Sequence, residues 1–115
     1  MDYEFEKKWF GLLAKLEEKF GEEIDLEAIL FLIGVQELGF GAQKFSKDEK
    51  LNLIHIAICS VLEPFGYYKF KELDKEGWPH FQVIKPLPFL NDKEQKEFMR
   101  RAVVEYFQKE GLLRF

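Results

Sequence analysis

The chain has 115 residues, of which 47% are hydrophobic and 33% are charged. This length and composition predict one folded globular domain over residues 1–115, and they exclude a disordered or collagen-like chain. The net charge of −4 argues against a broad surface for nucleic acid, because such surfaces rely on clustered lysine and arginine.

Three further features limit the class of protein. The longest apolar run, residues 28–35, is far shorter than the roughly 18 residues that a membrane-spanning helix needs. The first residues are acidic, unlike the basic start of a secretory signal, so we expect a cytoplasmic protein that does not contact membranes. The single cysteine, Cys59, excludes an intrachain disulfide and a cysteine-rich zinc site.

The first half of the chain carries the patterns of three helices. Apolar residues recur every three or four positions and predict an amphipathic helix over residues 3–20. Asp25 caps a second helix, predicted over 25–38, and Ser46 with Glu49 forms the capping box of a third, predicted over 46–63. Apolar residues surround the axes of the second and third helices, so we expect neighbouring elements to enclose both.

The second half of the chain predicts a β-hairpin over residues 67–84, followed by a fourth helix over 92–110. Aromatic and β-branched residues flank a turn that ends in Gly77, as in a hairpin. Pro79 lacks an amide proton, which places the second strand at an edge or delays its start. Either Asn91 or Asp92 caps the fourth helix. The predicted fold class is α+β, with the hairpin between the third and fourth helices.

One candidate metal or small-molecule site lies on the third helix. His55, Cys59 and Glu63 are spaced four residues apart and therefore share one stripe of the helix. Imidazole and thiolate groups are ligands for zinc or copper, with His80 or Glu37 as a further ligand. The apolar neighbours of Cys59 favour the alternative that Cys59 and His55 belong to the core.

A candidate nucleic-acid surface combines the hairpin with the fourth helix. Aromatic rings stack on bases and basic groups contact phosphates, and the candidate residues are Tyr67, Lys69, Lys71, Trp78, His80, Lys96, Arg100 and Arg101. In element order alone the chain resembles the winged-helix family, which implies a hairpin wing and nucleic-acid binding. Asp48 and Glu49 oppose a recognition role for the third helix. The favoured alternative is that the aromatic residues cover the core, that the lysines are solvated, and that the arginines form pairs within their helix.

The leading functional hypothesis rests on the amount of aromatic surface. The chain holds 13 phenylalanines, 4 tyrosines and 2 tryptophans, more than a core of this size is expected to enclose. Exposed rings such as Phe10, Phe40, Phe115 or Trp78 would form a patch for association. With no threonine and only two serines, the sequence favours a non-catalytic protein-interaction module without a cofactor. We expect a homodimer formed through the hairpin, the last helix or the apolar C-terminal tail.

Overall fold

The computed structural model of the protein describes residues 2–41 and 43–113. It contains four α-helices and a two-stranded antiparallel hairpin between the third and fourth, so the predicted α+β architecture is confirmed. In chain order the elements are α1 (Tyr3–Phe20), α2 (Leu26–Leu38), α3 (Lys47–Leu62), a 3₁₀ helix (Glu63–Phe65), β1 (Tyr68–Leu73), β2 (Pro79–Val83) and α4 (Asp92–Glu110). Among the described residues, no helix combines the length and the apolar character that crossing a membrane would require.

Side chains at the helix ends form the caps that the sequence predicts. Asp25 accepts a hydrogen bond from the Ala28 amide at the start of α2, and Ser46 and Glu49 complete the capping box of α3. Of the two candidates for α4, Asn91 is the cap. The third helix is shorter than predicted at its end, because Glu63 belongs to the 3₁₀ helix that leads into the hairpin.

Two clusters of buried side chains form the core. The larger cluster takes residues from all four helices, and Leu16, Ile29, Ile33 and Val103 in it are fully buried. The smaller cluster lies between α2, α3 and the hairpin, where Leu53 and Ile56 meet the half-buried rings of Trp78 and Phe81. The hairpin also contacts the larger cluster through Tyr67 and Tyr68, so it packs along α3 rather than at one end of it.

The expectation that α3 is enclosed on all sides is wrong. Leu51 is 58% exposed, and His55 is also exposed rather than half-buried as predicted. The helix packs closely against α2 on its other side, where Gly34 allows the backbones to meet at Leu53. This contact and the buried C-terminal half of α3 hold the helix against the core. Residues on its N-terminal outer face, such as Leu51, therefore remain in solvent.

The hairpin contains an irregularity that the alternation of its sequence conceals. Phe70 pairs with Phe81 and Glu72 pairs with His80, so Lys71 is an extra residue and forms a bulge in β1. Pro79 is the first residue of β2, where a missing amide proton is tolerated. With only two strands in the sheet, both β1 and β2 are edge strands.

Candidate functional site

The hairpin has one apolar and one polar face. Paired residues share a face and successive residues alternate, so the register defines both sets. The polar face carries Lys69, Glu72, His80 and Gln82. The apolar face carries Tyr68, Phe70, Leu73, Pro79, Phe81 and Val83.

The core covers only part of this apolar face. Tyr68 and Phe81 are half-buried against the helices. Phe70, Leu73 and Val83 remain 46%, 59% and 64% exposed, and we call these three residues the hairpin patch. Exposed apolar side chains that share one face of an element can serve association, so we take the patch as the candidate functional site.

The aromatic residues predicted to stack on bases are engaged with the protein itself. The ring of Tyr67 packs edge-on against Phe98 with a centroid separation of 5.6 Å, and the Lys85 ammonium lies 4.4 Å from its centroid. Trp78 is half-buried and packs edge-on against Phe45 at 6.5 Å. The neighbouring Lys69 and Lys71 are exposed. Tyr67 and Trp78 are therefore not open platforms beside the predicted lysines, and the exposed ring between the lysines, Phe70, lies on the opposite face from Lys69.

His80, the third hairpin candidate, is bound to the turn. Its Nε2 lies 3.0 Å from Asp74 Oδ2, and the other carboxylate oxygen of Asp74 accepts hydrogen bonds from the amides of Glu76 and Trp78. The hydrogen bond from His80, followed by that from Trp78, lowers the pKa of Asp74. Asp74 thus acts as the organising residue of the turn.

The two arginines of the predicted basic cluster connect α4 to α1. Arg100 forms ion pairs with Glu6 at 2.9 Å and Glu97 at 3.3 Å, and its guanidinium lies 4.8 Å from the centre of the Trp9 ring. Arg101 pairs with Glu97 at 3.0 Å and with Asp2 at 3.4 Å. The pairs that both arginines form with Glu97 follow from helical spacing, whereas the pairs with Glu6 and Asp2 do not. Lys96 and Arg101 are exposed, whereas the Arg100 side chain is only 22% exposed, so the cluster does not present three open basic groups.

The structure does not bring His55, Cys59 and Glu63 together as a metal site. His55 Nε2 lies 3.6 Å from Cys59 Sγ, but Glu63 turns towards the hairpin and accepts a hydrogen bond of 2.7 Å from the Phe70 amide. Burial raises the pKa of the Cys59 thiol to about 11, which disfavours the thiolate that a metal needs. Within residues 2–41 and 43–113, no group of three such side chains could hold a metal ion.

The two further candidate metal ligands, His80 and Glu37, lie in different places in the fold. His80 does line the same cleft as His55, a space of about 240 Å³ between α3 and β2 that also contains Asp74. Glu37 instead accepts a hydrogen bond of 2.9 Å from the Tyr106 hydroxyl, which accepts one from Gln36. Burial raises the pKa of the Tyr106 hydroxyl. The sequence does not predict this polar link between α2 and α4, because Tyr106 fits the apolar stripe of the last helix.

The other proposed surfaces differ in their exposure. Phe10 and Phe40 are 61% and 51% exposed, as predicted for surplus aromatic residues. In the C-terminal tail Leu113 is buried, and its carbonyl accepts a hydrogen bond from Lys19. Phe115 lies outside the described residues. Within the described part of the tail, Leu113 is therefore packed against the protein and is not available for association.

No family model, no curated protein and no solved structure matches this chain. Function must accordingly be inferred from the chemistry of its own surface, and the hairpin patch groups three exposed apolar side chains on one face of one element.

Proposed function

We propose that the protein is a non-catalytic interaction module of one domain that binds a second copy of itself through the hairpin patch. The observation that carries this proposal is the exposure of Phe70, Leu73 and Val83 on one face of the hairpin. Burying apolar surface contributes roughly 25 cal/mol per Å², so covering these three side chains would stabilise a complex. Two-fold dimers are the most common assemblies of soluble proteins.

The absence of catalysis is part of this proposal. Its support comes from Cys59, whose thiol is buried and whose pKa is raised to about 11, so that the protein lacks a ready nucleophile there. A cytoplasmic location is also proposed, since the chain has one cysteine and no disulfide to form.

Nucleic-acid binding receives less support than self-association. Arg100 and Arg101 are paired with acidic residues, and an incoming phosphate would have to displace those carboxylates. Binding that weakens steeply with salt would favour the nucleic-acid alternative.

Sedimentation velocity over a range of concentrations tests the proposal. We expect the wild type to sediment as a species of twice the 13.7 kDa chain mass, and Val83→Lys to shift the equilibrium strongly towards the monomer. Leu51→Lys is the matched control, because Leu51 is similarly exposed, 58% against 64%, but lies on α3. A monomeric wild type, or equal dissociation of the two variants, would contradict the proposal.

A further inference from the structure

The two outer edges of the hairpin differ in how well they are protected. On β1 the Phe70 amide donates to Glu63, and the bulge at Lys71 interrupts the strand. Bulges and lysines are common devices that prevent an edge strand from pairing with another chain. By contrast β2, with the sequence PHFQV, contains no lysine, arginine, aspartate or glutamate.

The backbone of β2 presents hydrogen-bonding groups on this unprotected side. The Ile84 amide donates to the Tyr67 carbonyl at 2.9 Å, so Ile84 points its amide towards β1. Because inward and outward groups alternate in an antiparallel pair, Phe81 and Val83 direct their amides and carbonyls away from β1. In the described part of the chain the sheet ends there, with no third strand beyond β2.

We infer that β2 pairs antiparallel with β2 of a second copy, across a two-fold axis at Gln82, to form a four-stranded sheet. This inference rests on the proposed function and names the contact that would produce the dimer. In this register Phe81 pairs with Val83 of the second copy. Both residues have an amide proton, and Pro79, which has none, does not need to donate.

The charge pattern favours a second copy as the occupant. A two-fold axis places equivalent parts of the same strand opposite one another, so a charged strand would meet its own charges. Pairing of β1 with itself about Phe70 would place Lys69 of each copy opposite Lys71 of the other. The uncharged β2 avoids this repulsion, and Gln82 can meet Gln82 of the second copy through amide hydrogen bonds.

The same pairing would cover part of the hairpin patch. Val83 of one copy would lie beside Phe81 of the other on the apolar face, and Phe81 already contacts Phe70 with ring centroids 6.0 Å apart. Apolar cross-strand pairs of this kind stabilise antiparallel sheets. Edge pairing therefore accounts for the exposure of Val83 and for the open edge of β2, while Phe70 and Leu73 of β1 stay on the outer strands of the four-stranded sheet.

Disulfide cross-linking tests the register. The residues at the axis form a non-hydrogen-bonded pair, whose α-carbons lie about 4.5 Å apart and allow a disulfide. We expect Cys59→Ala/Gln82→Cys to form a covalent dimer under mild oxidation at least about tenfold faster than the control Cys59→Ala/Lys69→Cys. Lys69 shares the polar face with Gln82, but the two copies of residue 69 would be three strand spacings, about 14 Å, apart.

A proline substitution tests the role of the backbone. Val83→Pro removes an amide that the hairpin itself does not use, so we expect the dimer to dissociate while the monomer stays folded by circular dichroism. Val83→Ala removes the same apolar contact but retains the amide, and should dissociate less. A dimer that survives Val83→Pro, or equal cross-linking at positions 69 and 82, would overturn edge pairing while leaving self-association intact. A monomeric wild type would overturn both.

Discussion

The backbone carbonyl of Leu53 occupies the space in which a β-carbon on Gly34 would lie. The carbonyl carbon of Leu53 is only 2.7 Å from that position, and the surrounding atoms belong to the backbone of α3, which cannot rotate away as a side chain could. This contact determines how closely α2 and α3 approach each other. Because the hairpin packs against α3, the contact also affects the position of the hairpin relative to α2.

Gly34→Ala is therefore expected to destabilise the protein, by about 2 kcal/mol or more, because the two helices must move apart. Gly11→Ala is the matched control, since a β-carbon on Gly11 in the middle of α1 would meet nothing within 4 Å. That substitution should stabilise the protein by about 0.5–1 kcal/mol, the helix preference of alanine over glycine. Urea unfolding measures both, and equal effects of the two substitutions would contradict the close packing.

Arg100→Met is expected to destabilise the protein by about 1–3 kcal/mol. The side chain is only 22% exposed, and its loss leaves Glu6 unpaired and removes the cation–π contact with Trp9. Arg101→Met should change stability by less than about 1 kcal/mol, because Arg101 is 46% exposed and its ion pairs are largely solvated. Thermal unfolding of the two variants distinguishes them, and a larger loss in Arg101→Met would show that α1 is held differently.

The stability of the protein should decrease in acid partly through Asp74. Its pKa is lowered from the ordinary value of 3.8 by His80 and the Trp78 amide, so the folded chain holds the proton less readily than the unfolded chain. The resulting stabilisation is present above the unfolded pKa and is lost as the pH falls through the folded pKa. Asp74→Asn, which can still accept the amide hydrogen bonds, should flatten the decrease of unfolding free energy below about pH 4, as urea titrations would measure.

His80→Ala provides a second variant for the same effect, because it keeps the carboxylate and removes the first cause of its pKa shift. An unchanged dependence on pH in both variants would mean that Asp74 has no such role.

Cys59 should react slowly with a disulfide reagent in the folded protein. Burial raises the pKa of the thiol from 9.0 to about 11, which lowers the fraction of thiolate roughly a hundredfold before access is considered. In denaturing urea the reaction should reach the rate of an ordinary thiol. Fast labelling without denaturant would contradict the buried position of Cys59.

Local signals in the sequence predict most of the fold. Asp25, the pair of Ser46 and Glu49, and Asn91 each satisfy nearby backbone amides, so the starts of α2, α3 and α4 follow from residues within one helical turn. The hairpin follows from its own alternation and from the turn at Asp74, whose hydrogen bonds reach no further than His80.

Contacts between distant parts of the chain could not be predicted in the same way. Arg100 and Glu6 are separated by 94 positions, and no spacing rule connects them. The exposure of Leu51 depends on how α3 packs against α2, and that packing, with its close contact at Gly34, is not encoded in any local spacing. The hydrogen bond from the Phe70 amide to Glu63 depends on the 3₁₀ turn that follows α3, and the sequence does not predict that turn. The four-residue spacing of His55, Cys59 and Glu63 therefore indicated Glu63 as a metal ligand instead.

Glu63 also bears on how far an assembly of this protein could grow. A sheet extends into a fibre only if each chain offers two open edges, one to join and one to be joined. Because Glu63 occupies the Phe70 amide and Lys71 disrupts the strand beside it, the β1 edge cannot serve as the second. If β2 pairs with β2 of a second copy as we infer, we therefore expect the assembly to stop at a closed pair, with Glu63 and the bulge at Lys71 together blocking growth at the other edge.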